Sequence, residues 1–259
     1  METLFQFDLG PAGFLLFFLG GLVTGIINTL AGSGSLITLP IFVFLCGLPA
    51  PVANGTNRIG VAIQTLVGTV GFKKMGATRF EGTAWLVAPA ILGAVVGSKI
   101  AVEMNETWMN RTLGGLMVFM FFVLILKPER WIRESAAELH RNKHPLTMAA
   151  FFLIGIYGGF IQAGVGIFLL AGMVLISKYS LREGNGIKTL IVFALTVPAL
   201  VIFMRHGQVH LGYGLTMAAA QGIGAWIGVR FAAKIPDANV WIYRLLIAIV
   251  LVSAVKFFW

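Results

Sequence analysis

The sequence predicts an all-α polytopic membrane protein built of two inverted-topology repeats. Each repeat holds about five helical segments, with short broken or re-entrant helices near the midplane. Three observations carry this prediction. Apolar runs recur along all 259 residues, which are 58% hydrophobic and 11% charged with a mean hydropathy of +0.90; soluble domains carry about 25% charged residues. The second observation is an internal repeat at a spacing of about 131 residues. The third is an uneven distribution of basic residues across the loops.

The first repeat offers apolar segments at 14–30, 36–46, 57–72, 85–100 and 113–126; the second offers 147–163, 167–176, 187–204, 211–233 and 241–259. A full crossing needs roughly 20 residues, so the second and seventh segments are too short to span alone. They fit half-helices or a bent hairpin buried among neighbours, the tolerated form of irregular backbone at membrane depth. Residues 1–126 form one transmembrane repeat and 146–259 the other. Between them 127–145, "KPERWIRESAAELHRNKHP", is a polar linker.

The repeat is visible in ordered matches. "GAVVGSKIA" from Gly93 meets "GAWIGVRFA" from Gly224, and "NGTNR" from Asn54 meets "NGIKT" from Asn185, both 131 apart. "GLVTGIIN" from Gly21 meets "GIYGGFIQ" from Gly155, and "AGSGS" from Ala31 meets "AGVGI" from Ala163, at slightly larger spacings. With the N-terminus outside, fourteen of the nineteen Lys and Arg fall on the inner side, including Lys73, Lys74 and all five of the linker. That bias is what membrane topology requires, and it makes the linker cytoplasmic. It also accounts for the net charge of +9 without nucleic acid. An odd number of crossings per half inverts the second half, as in secondary transporters that bind at the midplane.

The N-terminus carries Glu2 and Asp8 in place of a basic signal region, so a span from Phe14 onward is expected to be retained. The single cysteine, Cys46, sits in an apolar run and excludes an internal disulfide.

Each half contains one soft break, "NTLAGSGS" at 28–35 and "QAGVG" at 162–166. Gly32, Gly34, Gly164 and Gly166 release the backbone from helical geometry. Backbone N–H groups then open at the start of the short helix that follows, a setting that attracts anions. Asn28, Thr29, Ser33 and Ser35 add neutral donors, and Gln162 adds an amide from the other half. A second cluster in each half (Thr56, Asn57 and Arg58; Lys188 beside Asn185) is expected just before a span. None of the ten acidic residues lies inside a predicted span, whereas cation and proton pumps bury carboxylates. The expected substrate is therefore a small anion, with a doubly charged oxyanion suiting several N–H donors.

Several of these residues have an alternative use. The small-xxx-small pairs Gly21/Gly25, Gly93/Gly97, Gly155/Gly159 and Gly224/Gly228 read as helix-packing faces. Arg58 and Lys188 fit either snorkelling to the interface or ligand contact. Lys99 and Arg230, at equivalent helix ends, read as topology anchors. Gln64 fits either the pathway wall or a bond to a neighbouring helix.

At these residues the chain resembles the TauE/SafE sulfite exporter family, also called the 4-toluene sulfonate uptake permeases (TSUP). The resemblance is carried by "GLVTGIINTLAGSGSLITLPIFVFLCGLPAPVANGTN" in the first half and "GGFIQAGVGIFLL" in the second. The glycine-rich break, the short helix ending at Pro40 and the Ala53–Asn57 box follow the family pattern; "GNGIKT" departs from it, and the pattern requires no cation at Lys188. The resemblance implies a multi-pass protein of the bacterial inner membrane that exports sulfite or a related sulfur-containing anion or organosulfonate, with a coupled proton or ion. It implies no enzyme activity and no cofactor or metal.

A channel for anions and a carrier for another small organic anion remain alternatives. A membrane metalloenzyme is a weaker one. His140 and His144, and His206 and His210, are spaced four apart, but neither run, "HRNKH" or "HGQVH", contains an acidic or thiolate third ligand.

Overall fold

The structure, a computed structural model, describes residues 9–76, 78, 80–126, 145–177, 179, 181–231 and 238–258. The linker of 127–145 lies outside them except for Pro145, as do His140 and His144. The described residues contain helices and no strands. The first half comprises α1 (Pro11–Ala31), α2 (Ser35–Pro40, continued by a π turn at Ile41–Leu45), α3 (Ala50–Lys74), α4 (Ala84–Val102) and α5 (Glu106–Ile125). The second comprises α6 (Pro145–Phe160), α7 (Val165–Ala171, continued by a π turn at Gly172–Ile176), α8 (Leu181–Arg205), α9 (Leu211–Phe231) and α10 (Ala238–Phe258).

Local chemistry explains the ends. Pro11 occupies the first position of α1, where its fixed φ fits and its missing N–H costs nothing. Gly32 ends α1 in the left-handed conformation at φ 74°, donating its N–H to Asn28 O at 2.8 Å. The chain then reverses, so that α2 runs back along α1. Phe42 of the returning arm stacks edge-on against Phe17, ring centroids 5.8 Å apart. The second half repeats the hairpin, with Phe168 of α7 against Tyr157 of α6 at 5.3 Å. The two short segments are thus hairpin arms.

The boxes lie deeper in their helices than the sequence suggested. α3 begins at Ala50 with Pro51 in its first turn, so Asn54–Arg58 lie inside the helix rather than ahead of it. α8 likewise begins at Leu181, before Asn185 and Lys188. The polar stretch mimics a loop because hydropathy falls there, yet its side chains are buried against the other half.

The glycine pairs fix how the long helices stack. Gly21 and Gly25 of α1 face Ala220 and Gln221 of α9, and Gly224 faces Leu22. Gly93 and Gly97 of α4 face Phe152 and Ile156 of α6, and Gly155 and Gly159 face Ala90 and Ala94. Gly21 meets the side chains of Ala220 and Met217 and the other glycines meet backbone, so even one methyl would collide. Residue numbers rise together in both pairs, which makes α1 parallel to α9 and α4 parallel to α6. Ile59 meets Gly214 and Gly71 meets Val229, so α3 also runs with α9. Gly55 meets Phe203 and Gly68 meets Thr189, so α3 opposes α8. Thr78 beside Gly186 and Val102 beside Gln208 show α8 running with α4.

The long helices therefore line up in the order α1, α9, α3, α8, α4, α6. α1, α3 and α4 oppose their second-half counterparts α6, α8 and α9, so the repeats are inverted and interleaved, and the core clusters of the described residues mix both halves. α5 and α10 pair beside this array; Phe257 packs on Phe44 at the end of the first hairpin, centroids 4.7 Å apart.

α1, α4, α5 and the Glu183–Arg205 part of α8 are long and apolar enough to cross a bilayer. Their outer faces expose Leu15, Leu16, Leu92, Phe119 and Phe122, as a lipid-facing surface does. Lys99 and Arg230 are exposed near helix ends, and Arg230 stacks over Trp226 at 3.7 Å, a pairing suited to the interface.

Candidate functional site

The two hairpin tips meet in the interior. Gly32 and Gly166 touch through their backbones; a Cβ on Gly32 would sit 2.8 Å from Gly166 Cα. At the second tip Gly164 has φ 71° and Gln162 has φ 70°. Gln162 is the one non-glycine at positive φ among the described residues, a conformation that costs about 1 kcal/mol or more and collects at functional sites.

A narrow cavity opens beside the tips. The first hairpin contributes Asn28, Thr29, Gly32 and Ser35; α3 contributes Val61, Gln64 and Thr65. The second tip contributes Gln162, Val165 and Gly166, and α8 contributes Lys188, Thr189 and Val192. About 10 Å³ is open to the centre of a water molecule, room for one. Lys188, 1% exposed, is the only charged residue on this wall among the described residues, and no carboxylate among them lines it. Its Nζ donates to Asn185 Oδ1 at 2.8 Å and approaches Thr29 O at 3.5 Å.

The hydroxyl protons are mostly committed elsewhere. Thr29, Thr65 and Thr189 donate back to carbonyls of their own helices, Gly25 O, Val61 O and Gly186 O, at 2.6–2.8 Å. Thr196 donates to Val192 O and accepts from Gln162 Nε2. Asn28 Oδ1 accepts the Gly34 N–H at 3.0 Å, which pins the first tip. Gln162 Oε1 and Gln64 Oε1 are buried without a partner.

Seven residues singled out from sequence thus share one wall: Asn28, Thr29, Gly32, Ser35, Gln162, Gly166 and Lys188. The others lie off it. Ser33 is buried behind the tip, Gly34 fits tightly against Asn28 and the Thr24 carbonyl, and Gly164 packs on Met120. Thr56 Oγ1 accepts the His210 N–H at 2.9 Å. Asn57 accepts the Thr38 hydroxyl at 2.6 Å and donates to Ser35 Oγ at 3.2 Å, tying α2 to α3.

Arg58 neither snorkels nor reaches the cavity. It is fully buried, donating to Gly158 O, Gly159 O and Phe160 O at 2.5–3.3 Å and lying 4.5 Å over the Phe203 ring. These are last-turn carbonyls of α6, which have no intrahelical donor. Residues the sequence reading did not single out are Thr65, Thr189 and Thr196. Thr65 and Thr196 stand 131 apart, so the repeat itself could have found them. Gln64, left open above, lies on the wall. His206 Nδ1 pairs with Ile202 O, and no metal-binding group of His, Cys, Asp or Glu occurs among the described residues.

The family profile described as sulfite exporter TauE/SafE matches residues 17–257. The chain belongs to the TauE/SafE sulfite exporter family. It is a multi-pass membrane transporter of that family, as the resemblance implied. It is 25% identical over 215 residues to the probable membrane transporter protein ORF9 of a Sinorhizobium species, covering 83% of this chain and 81% of that relative. A probable membrane transporter protein of Haemophilus influenzae is 22% identical, covering 86% of each chain. The probable membrane transporter protein YfcA of Escherichia coli K12 is also 22% identical, covering 83% of this chain and 79% of that one. No solved structure gives a significant match.

Proposed function

We propose that this TauE/SafE protein is a secondary transporter that exports sulfite or a related small organosulfonate across the bacterial inner membrane. The anion binds between the two repeats, at the wall formed by the hairpin tips, α3 and α8. One observation carries the reading: among the described residues the wall holds a single buried ammonium, Lys188, and no carboxylate. A buried cation without a counter-ion is costly, and an anionic ligand supplies the missing charge. The amide of Asn28 and the hydroxyl of Ser35 add donors, since Asn57 donates to Ser35 Oγ and leaves its proton free.

In this conformation the cavity admits about one water, less than a sulfur oxyanion needs. Binding therefore requires the tips to part, and two interleaved inverted repeats rocking about a fixed site supply such a motion. A narrow, interrupted cavity supports a carrier over an open channel. The test is flux in proteoliposomes loaded with sulfite. Saturable flux with counterflow is the expected result; no sulfite flux, or conductance in unitary steps, contradicts the reading.

A further inference from the structure

Resting on that anion reading, we propose that the transported species is a monoanion carrying its own hydrogen-bond donor, because the wall residue Gln162 keeps a buried, unpartnered acceptor and the wall threonines have spent their protons. For inorganic substrate this form is hydrogen sulfite; for organic substrate it is a sulfonate bearing a hydroxyl or amine.

The Thr196 hydroxyl has one proton, and it goes to Val192 O at 2.5 Å. The hydroxyl can then only accept from the Gln162 side chain, so the amide nitrogen faces Thr196. The Gln162 oxygen is left buried, unpartnered and on the cavity wall. Gln162 is 2% exposed, so bulk water does not satisfy it. Thr29, Thr65 and Thr189 have likewise spent their protons on their own helices and offer lone pairs. The donors among the residues lining the same cavity are Lys188 Nζ, Asn28 Nδ2 and Ser35 Oγ.

A bare dianion would meet one cation and several oxygen lone pairs, a repulsive match. A monoanion with an O–H or N–H satisfies both kinds of group: its oxygens take the Lys188 ammonium and its donor takes the Gln162 oxygen. Charge balance agrees, since one ammonium meets one negative charge. Hydrogen sulfite carries its proton across with it, so proton movement with the anion needs no carboxylate relay.

The experiment measures binding to the purified full-length protein by calorimetry. The probes are methanesulfonate, a monoanion without a donor, and hydroxymethanesulfonate, its hydroxylated counterpart. The proposal expects hydroxymethanesulfonate to bind about tenfold tighter, the scale of one hydrogen bond with its acceptor otherwise left bare. Gln162→Leu should collapse that ratio toward one. Gln162→Asn, which keeps an amide, tolerates positive φ and withdraws the oxygen by one carbon, should collapse it too and guards against misfolding of the leucine variant. Equal wild-type affinity for the two probes, or a ratio that survives in a folded Gln162 variant, overturns the donor proposal while leaving the anion site intact. Failure of both probes and of sulfite to bind at any pH overturns the anion reading itself.

Discussion

The repeat places a cation near the same structural position twice, and the two copies have opposite fates. Arg58 reaches from α3 across to the C-terminal end of α6; Lys188 reaches from α8 toward the C-terminal end of α1. Arg58 finds three carbonyls and an aromatic face. Asn54 adds a further bond to Phe160 O at 2.8 Å. A cation capping a helix C-terminus in this way is favourable twice over, by hydrogen bonds and by the helix dipole. Lys188 finds one side-chain oxygen, one carbonyl at the limit of bonding distance, and a cavity. The repeat therefore kept one copy as a structural strut and left the other under-coordinated. Burial alone does not distinguish a functional cation; the fraction of its donors already spent does.

Breaking the strut should have the largest effect. Arg58→Met leaves several buried carbonyls without donors, and a loss of about 3 kcal/mol or more is expected. Thermal unfolding in detergent, followed by size-exclusion fluorescence, should show a large drop in midpoint, with Arg58→Lys intermediate because one ammonium cannot reproduce the guanidinium fork. An unchanged midpoint would remove the distinction between the two cations. A smaller effect is expected at the anchor of the other cation. Asn185→Leu removes the bond that aims Lys188, so sulfite affinity should fall about tenfold with little change in midpoint. A folded Asn185→Leu protein with wild-type affinity would show that Lys188 needs no aiming. The smallest effect belongs to Gln64→Leu, which deletes a wall amide with no partner of its own. About a fivefold loss of sulfite affinity is expected by calorimetry, and an unchanged affinity would place Gln64 outside the ligand's reach.

Much of the architecture was legible in the sequence because duplication wrote it twice. The "GAVVGSKIA" and "GAWIGVRFA" matches located α4 and α9, and their paired glycines announced backbone contact. The two short segments announced hairpin arms by length alone. The boxes were misplaced because hydropathy cannot tell a polar loop from polar side chains buried across a helix interface; Asn54–Arg58 are of the second kind. The site was half legible for the same reason. Residue type marked Asn28 and Gln162 as polar at membrane depth and left Lys188 between the interface and the ligand, and all three share one wall. Which protons are free was not legible. Thr29 looks like a donor in sequence, yet its hydroxyl is bound to Gly25 O; Gln162 looks like a donor, yet its nitrogen is held by Thr196. Long-range pairings set that balance, and a one-dimensional pattern does not contain them.

The central claim is that the free donor of Lys188 holds the anion. It is tested most directly by calorimetric titration of sulfite into purified wild-type protein and Lys188→Met, with unfolding midpoints measured alongside. The account predicts that the variant remains folded and binds sulfite about a hundredfold more weakly, the cost of removing one side of a buried charge pair. A folded Lys188→Met protein that binds sulfite as tightly as wild type would contradict it.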